Sequence, residues 1–511
     1  MNDSQAASVP EAAPNSVRAR RFGLDTHYEA VVFMHKQSHI CRSEGFAAHA
    51  RVLLGHGDKR VIATLYQVTG KLIAHNEAAL SEAAWQRLGL TEGDRVTVSH
   101  PEPLDSLSHV RSRIFGHDLG EASFHAIIQD VVAGRYSGIH LSSFVTACAA
   151  RPLAHTEILA LTHAMVEAGE RLSWPAGIVV DKHSVGGLPG NRTTPIIVAI
   201  VASLGLMMPK TSSRAITSPA GTADTMETLA PVDLDTAAIR RVVEREGGCI
   251  VWGGAVRLSP ADDVLIRVER ALDLDSEGQL IASVLSKKIA AGSNHLVIDL
   301  PVGPTAKVRT AESAKSLSDG LASVGATFGL LTRVVATDGS QPVGRGIGPA
   351  LEARDVLAVL QGAADAPRDL RQRSIALAGA LIELAGAAAQ GEGEAMASQA
   401  LDSGGAWAKF QRICEAQGGM RVPPKSRQQR PILAAQSGKV DTIDNRRIAR
   451  LAKLAGAPDD KAAGVDLHVR LGDPVQAGQP LCTVHADSPG ELAYAFDFAA
   501  ANPDIIAIDS T

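Results

Sequence analysis

At 511 residues the chain exceeds what one ordinary hydrophobic core organises, and its length fits about three domains. Apolar residues make up 45% and charged residues 21% of a chain with 47 glycines, a globular composition that excludes a largely disordered or fibrous protein. Fifty basic against 55 acidic side chains, a formal charge of -5, with no long block of either sign, argue against a nucleic-acid or anionic-membrane footprint.

Residues 1–20, rich in Ala, Ser, Pro and Asn, lack the central apolar stretch of a secretory signal and read as a disordered tail. From 21 to 100, alternating runs such as Ala30-Val-Val-Phe-Met, broken by Gly55, Gly57, Gly70 and Gly93, predict a β-rich N-terminal domain. His35 and His39 share a helical spacing there, but no third ligand completes a metal pattern, so no metal site is expected. Two close prolines in Pro101-Glu-Pro-Leu-Asp105 mark a linker. Between 105 and 170 apolar residues recur at helical spacing, as in Phe124, Ile127, Ile128 and Val131, and predict a helical domain.

The stretch 171–430 alternates strand candidates (Gly177-Ile-Val-Val-Asp, Cys249-Ile-Val-Trp, Leu296-Val-Ile-Asp-Leu, Thr327-Phe-Gly-Leu-Leu-Thr) with helical segments, the last of them Ala-rich and reaching from Gln361 to Gly419. Its longest apolar runs, Ile196 to Met208 and Ile375 to Leu384, fall short of a membrane span and read as buried helices. Gly344-Arg-Gly-Ile-Gly-Pro has the wrong spacing for a dinucleotide loop and reads as a turn before a helix at Glu352. Beyond 431 short Gly- and Pro-punctuated runs predict a small α+β C-terminal domain. The fold class is therefore α/β multidomain: a helical lobe, a large α/β lobe built on a mixed sheet with helices, and the two terminal domains. Five scattered cysteines without a C-x-x-C pair fit free thiols in a reducing compartment, hence a cytoplasmic protein.

Two loops carry the chemistry. Asp181-Lys-His-Ser-Val-Gly-Gly-Leu-Pro-Gly-Asn-Arg-Thr-Thr194 sets a cation, hydroxyls and three glycines on a strand-to-helix turn. Glycines bring backbone N–H groups close to an oxyanion, the helix N-terminus adds partial positive charge, and Lys182 and Ser184 add charge-assisted hydrogen bonds. A plain tight turn is the alternative for this segment alone. One helix later, Lys210-Thr-Ser-Ser-Arg-Ala-Ile-Thr-Ser-Pro-Ala-Gly-Thr-Ala-Asp-Thr-Met-Glu227 places six hydroxyls and Arg214 within 13 residues. Thr222 there can cap the next helix while also offering its hydroxyl to a ligand.

The pair of loops resembles the signature of the thymidine phosphorylase family, and the resemblance continues through Leu258-Ser-Pro-Ala-Asp262, Ala282-Ser-Val-Leu-Ser-Lys-Lys288, Val302-Gly303 and the segment from Gly438 to Ala486. It implies that Lys182, Ser184, Thr194 (or Thr193), Ser212 and Thr222 hold a phosphate nucleophile. His183, Ser283 and Lys287 match positions on the nucleobase side. Pro189 lengthens the first loop by one residue and Pro219 replaces a small residue. These departures resemble the longer branch of the family, which includes AMP phosphorylases. That branch implies nucleotide contacts from Gly187, Ser213, Arg214, Ala215, Ile216, Thr217, Ser218, Thr222, Ser283 and Lys307, with Asp275 as proton donor. The arginine that the pyrimidine branch sets on the base has Arg267 and Arg270 as unaligned candidates.

The implied reaction is phosphorolysis of an N-glycosidic bond, with inorganic phosphate as a substrate and no cofactor. Lysine, hydroxyls and backbone donors position the phosphate, while a general acid keeps the base from leaving as a naked anion. Asp275 serves as that acid only if its surroundings keep it protonated, and it otherwise reads as a helix cap; His183 either donates to a base carbonyl or packs under its loop. Lys287 and Lys288 are adjacent and point to different faces of a helix. Lys307 either approaches the ligand of the second loop or is a solvated lysine. Three functions stay open: a thymidine-type nucleoside phosphorylase, an enzyme converting nucleoside 5′-monophosphates to ribose 1,5-bisphosphate, toward which the residues of the second loop and Asp275 lean, and a non-catalytic phosphate or nucleotide sensor. The family also implies lobes that close over small-molecule substrates and a homodimer or larger homo-oligomer.

Overall fold

Alternating apolar residues in the first hundred positions close a barrel. In the computed structural model, which describes residues 15–509 apart from 27, 176, 216, 217 and 275, its strands are β1 (Ser16–Arg21), β2 (Val31–His35), β3 (Arg51–His56), β4 (Lys59–Val68), β5 (Glu77–Leu80) and β6 (Arg95–Ser99). Their order is β1-β5-β2-β4-β3-β6, with β6 pairing back onto β1, so no strand edge is left open. Val17, Val32, Met34, Val52, Leu54, Leu65, Val96 and Val98 fill the interior, and α1 (His39–Ser43) and α2 (Glu82–Leu88) flank it. The barrel begins inside the stretch read as a disordered tail: Val17 and Ala19 alternate with outward arginines and are fully buried, a period of two that the Ala- and Ser-rich composition obscured.

The barrel belongs to a first compact unit made of residues up to 112 together with 129–144; the second unit holds 113–128 and everything from 145 onward. The stretch read as one helical domain is thus divided. Its helices are α3 (Ser106–Ile114), α4 (Glu121–Val132), α5 (Gly138–Ala150) and α6 (His155–Glu167). In the second unit Arg113 is buried against Glu157, with Nη1 2.7 and 2.8 Å from the two carboxylate oxygens.

The centre of the second unit is a sheet of β7 (Val180–Ser184), β8 (Met208–Ser212), β9 (Gly248–Trp252), β10 (His295–Val302) and β11 (Leu331–Asp338). The ladders β11-β10-β7 and β8-β9 are joined by a parallel bridge from Val179 to Met207. Every pairing is parallel, which corrects the expectation of a mixed sheet. The physical reason lies in the connections, each of which contains a helix that returns the chain to the same end of the sheet: α7 (Thr193–Ser203), α8 (Thr222–Glu227) and α9 (Thr236–Glu246), α10 (Pro260–Leu272) and α11 (Glu277–Ala290), and α12 (Ala311–Thr327). The strand read from Thr327 starts later, at Leu331, because α12 runs to Thr327 and Gly329 turns the chain at φ +70°. Helix α7 is buried along its whole length from Thr193 to Ala202, as its unbroken apolar run requires.

After β12 (Gly346–Ile347) come α13 (Pro349–Leu360), α14 (Arg368–Leu384), α15 (Gly393–Asp402) and α16 (Gly405–Ala416). The C-terminal region contains β13 (Gln428–Leu433), β14 (Gly438–Ile443), α17 (Asn445–Leu454), β15 (Gly464–Leu467), β16 (Pro474–Val475), β17 (Pro480–Ala486), α18 (Pro489–Ala501) and β18 (Ile506–Asp509). Its sheets run β12-β15-β17-β13 and β16-β14-β18, so the boundary at 431 is not clean: β13 starts before it and β12 joins from far upstream. Among the described residues no helix is long and apolar enough to cross a membrane.

Candidate active site

The parallel sheet places β7 between β8 on one side and β10 on the other. Loops leaving such neighbouring strands diverge at their carboxyl ends and open a crevice, the usual ligand position in open α/β sheets. Ser184 at the end of β7 lies in register with Asp299 of β10. The Asp299 carboxylate accepts hydrogen bonds from Ser184 Oγ (2.7 Å), Asn191 Nδ2 (2.8 Å) and Thr337 Oγ1 (2.6 Å), and Lys182 Nζ stands 3.8 Å away. Lys182 is fully buried and donates to Thr193 Oγ1 at 2.8 Å. Burial pulls its ammonium down to about 8, with Asp299 opposing and Arg192 and Arg373 reinforcing the fall. Thr194, one residue further into α7, is also buried.

The second loop follows β8. Ser212 closes that strand, and its buried hydroxyl has no hydrogen-bond partner among the described residues. Gly221 is required by close approach: a β-carbon there would sit 2.5 Å from the backbone of Ser213 and Arg214. Thr222 opens α8 without capping it, which corrects the capping expectation. Asp224 does that work, its Oδ2 accepting the N–H groups of Gly221 (2.9 Å) and Ala215 (2.6 Å). The Thr222 hydroxyl instead accepts from Arg192 Nη1 at 2.7 Å. Arg214 is committed to the carboxylates of Glu227 (2.8 and 2.9 Å) and Asp224 (3.3 Å) and lies over the Trp252 ring; its hydrogen bond holds the Glu227 carboxyl down at about 2. Ser213 is exposed, and Ser218 donates to the Ala220 carbonyl.

On α11 almost every residue from Gly278 to Ala290 is buried, and Ser283 and Lys287 are among the few that are not. Lys287 Nζ bonds Ser283 Oγ (3.0 Å) and the Asp262 carboxylate (2.7 Å). Lys288 points elsewhere, as the helical geometry requires, and meets buried Asp181 at 2.9 Å; Lys210 reaches the same carboxylate at 3.2 Å. Burial works against this carboxylate, yet Lys210 and Lys288 hold it below the usual range. His183 is held well below the ordinary imidazole value by burial first, then by the positive charges of Lys288, Lys287, Lys210 and Lys182.

Gly187 turns the first loop at φ +56° and is exposed. Lys307 lies beside that first loop, its Cβ 3.4 Å from where a Gly186 β-carbon would be. Arg267 donates Nε to the Asp263 carbonyl within α10. Asp275, Ile216 and Thr217 lie outside the described residues.

Sequence reasoning gave no role to Asp181, Asn191, Arg192, Lys210, Asp299 or Glu352. The aspartates had a signal, a carboxylate at the end of Ile-Val-Val-Asp and another inside Leu-Val-Ile-Asp-Leu, where apolar strands carry a charge only with a partner.

Three family descriptions match the chain in succession. The helical bundle domain of the Glycosyl transferase family covers residues 106–169, the a/b domain of that family covers 176–407, and the Pyrimidine nucleoside phosphorylase C-terminal domain covers 439–505. A helical segment and an open parallel α/β domain whose central strands end in loops carrying buried Lys182 and the Ser212 and Thr222 hydroxyls define a glycosyltransferase that transfers a pentosyl group. The chain is 62% identical over 97% of its length to a protein from Polaromonas sp. and 60% identical over 99% to one from Chelativorans sp., covering 97% and 100% of those relatives; both bear the name "Putative thymidine phosphorylase". Anthranilate phosphoribosyltransferase from Saccharomyces cerevisiae, solved in complex with PRPP and Mg, shares the fold with a TM-score of 0.50 at 16% identity, over 62% of this chain and 98% of that one. The chain therefore belongs to the thymidine phosphorylase family of pentosyltransferases.

Proposed function

We propose that the protein cleaves thymidine with inorganic phosphate, giving thymine and 2-deoxyribose 1-phosphate. The observation that carries this reading is the Ser212 hydroxyl, buried without a partner among the described residues on the strand that precedes the Thr222 loop. A buried hydroxyl is normally hydrogen-bonded, and an anionic oxygen is the partner this setting favours. A phosphate oxygen held by Ser212, Thr222 and the charge of Lys182 attacks the anomeric carbon as the C–N bond breaks, and the bonding pair leaves with the base. His183, neutral by virtue of its surroundings, donates an N–H to a base carbonyl rather than acting as an imidazolium acid. Lys287 adds positive charge as the base departs; Asp275 is the candidate for delivering the proton.

A second reading, on a nucleoside 5′-monophosphate with release of ribose 1,5-bisphosphate, is favoured by Lys307 beside Gly186. Against it, Arg214, the other cation of the nucleotide run, is neutralised by Glu227 and Asp224. On either reading phosphate is a substrate, no cofactor takes part, and the enzyme works in the cytoplasm as a homodimer or larger homo-oligomer. The five free cysteines, all buried, suit that compartment.

The test is a base-release assay with thymidine, uridine, AMP and CMP, with and without phosphate. Phosphate-dependent release from thymidine is expected. Release from nucleotides alone selects the second reading, and release from none of the four leaves only a sensor.

A further inference from the structure

We propose that Arg192 is a positioning residue for phosphate, a three-way fork that joins both anion loops to α13 and fixes the direction in which the Thr222 hydroxyl donates. The inference rests on the phosphorolytic reading, because it acts through a phosphate ligand of that reaction.

Arg192 is the residue from which α7 springs, and its side chain is nearly buried, with 11% of its surface exposed. Nε donates to Glu352 Oε2 at 2.6 Å, Nη1 to Thr222 Oγ1 at 2.7 Å and Nη2 to the Ala220 carbonyl at 2.8 Å. Each arm therefore ends on a different element: α13, the start of α8 and the loop before it. Glu352 is itself buried and also accepts from Thr225 Oγ1 of α8 at 3.0 Å, so the anchor is held from two sides.

The bond to Thr222 has a direction. A guanidinium only donates, and a hydroxyl has one proton to give. With an acceptor site of Thr222 Oγ1 occupied by Arg192, the hydroxyl proton is turned away from the arginine and left to donate to an anion. Ser184 is the contrast: its Oγ proton is spent on Asp299 Oδ2 while it accepts from Asn191 Nδ2 at 3.1 Å. Thr222 is thus set as a donor in a way that Ser184 is not. Lysine cannot replace Arg192, since an ammonium on a flexible stem does not reproduce a planar fork with three fixed directions.

The experiment measures inorganic phosphate binding to the full-length protein by calorimetry, together with KM for phosphate and for nucleoside, for R192Q, R192K, T222V, E352Q and R192Q/T222V, with circular dichroism confirming the fold. R192Q is expected to weaken phosphate about tenfold in both Kd and KM while nucleoside KM stays within about twofold, and R192K to recover less than half of that loss on a logarithmic scale. Because Arg192 acts through Thr222, the double variant should bind phosphate no worse than T222V. E352Q keeps both partners in place and should weaken phosphate about threefold, a readout that survives if R192Q fails to fold. Losses in the double variant that multiply, a nucleoside KM that rises as much as the phosphate KM, full rescue by R192K, or unchanged phosphate binding in E352Q would each overturn the proposal. Wild-type protein that binds phosphate but releases no base overturns the phosphorolytic reading, while the phosphate titrations still decide the role of Arg192.

Discussion

Asp299→Asn removes one charge from the crevice and keeps the shape of the side chain. Lys182 Nζ lies 3.8 Å from that carboxylate, and both groups are buried. At an effective dielectric of about 20, a pair at this distance is worth about 4 kcal/mol, equivalent to about three pK units. Lys182, already lowered to about 8, then falls toward about 5. A lysine loses its charge as pH rises through its pKa, so at pH 7 the charged fraction drops from about nine in ten to about one in a hundred. Phosphate affinity at pH 7 should fall up to about a hundredfold, and the ratio of variant to wild type should recover as pH is lowered toward 5.5. The wild type itself should lose phosphate affinity above about pH 8. The assay is KM for phosphate between pH 5.5 and 9.5, with thermal melts to confirm folding. A ratio that stays constant across this range would refute the reasoning, because it would mean that Asp299 does not act through the charge of Lys182.

Ser212→Ala deletes a hydroxyl without a hydrogen-bond partner among the described residues, so chemical denaturation should move by no more than about 0.5 kcal/mol, whereas KM for phosphate should rise roughly tenfold, the worth of one hydrogen bond to a charged group. Gly221→Ala drives a β-carbon to within 2.5 Å of backbone and should cost about 1–3 kcal/mol, while Gly138→Ala, with open space at that position, should be neutral or slightly stabilising in the same melts. Arg113→Ala leaves the Glu157 carboxylate buried with only the N–H groups of Leu119 and Ala154 as donors; urea unfolding should register a loss of about 3–5 kcal/mol, and a loss below about 1 kcal/mol would contradict a buried pair.

What was legible in the sequence was local. Lys182, His183 and Thr222 stand in short motifs whose residue types announce an anion, and the alternating runs around Val32 and Met34 announce a β-rich domain, whereas the same alternation at Val17 and Ala19 was hidden in an Ala- and Ser-rich stretch. Long-range partners were not legible. Arg192 was in plain view inside the first loop, but its meaning depends on Glu352, 160 residues away. Lys287 and Lys288 could be assigned to different helix faces, yet only the fold tells that Lys288 ends on Asp181. The direction of the strands was equally hidden, since β7 to β11 are short and pairing direction is set by connections rather than by side-chain period. Thr222 illustrates a choice the sequence left open: cap and ligand were both reasonable until Asp224 took the capping role.

The two-residue strand β12 bears on how this chain can be divided. Gly346 and Ile347 pair with Asp466 and Val465, Gly348 has no room for a side chain because the Ala463 carbonyl would lie 2.3 Å from it, and the Ala350 N–H donates to the Lys461 carbonyl. Lys461 in turn reaches Asp224 and Glu227 on the helix that begins at Thr222. A cut near residue 430 would therefore strip a strand of its partner and release a tether on α8. The C-terminal region is spliced into the α/β domain through its backbone, so shuffling it between relatives as an independent module requires exchanging residues 346–350 with it.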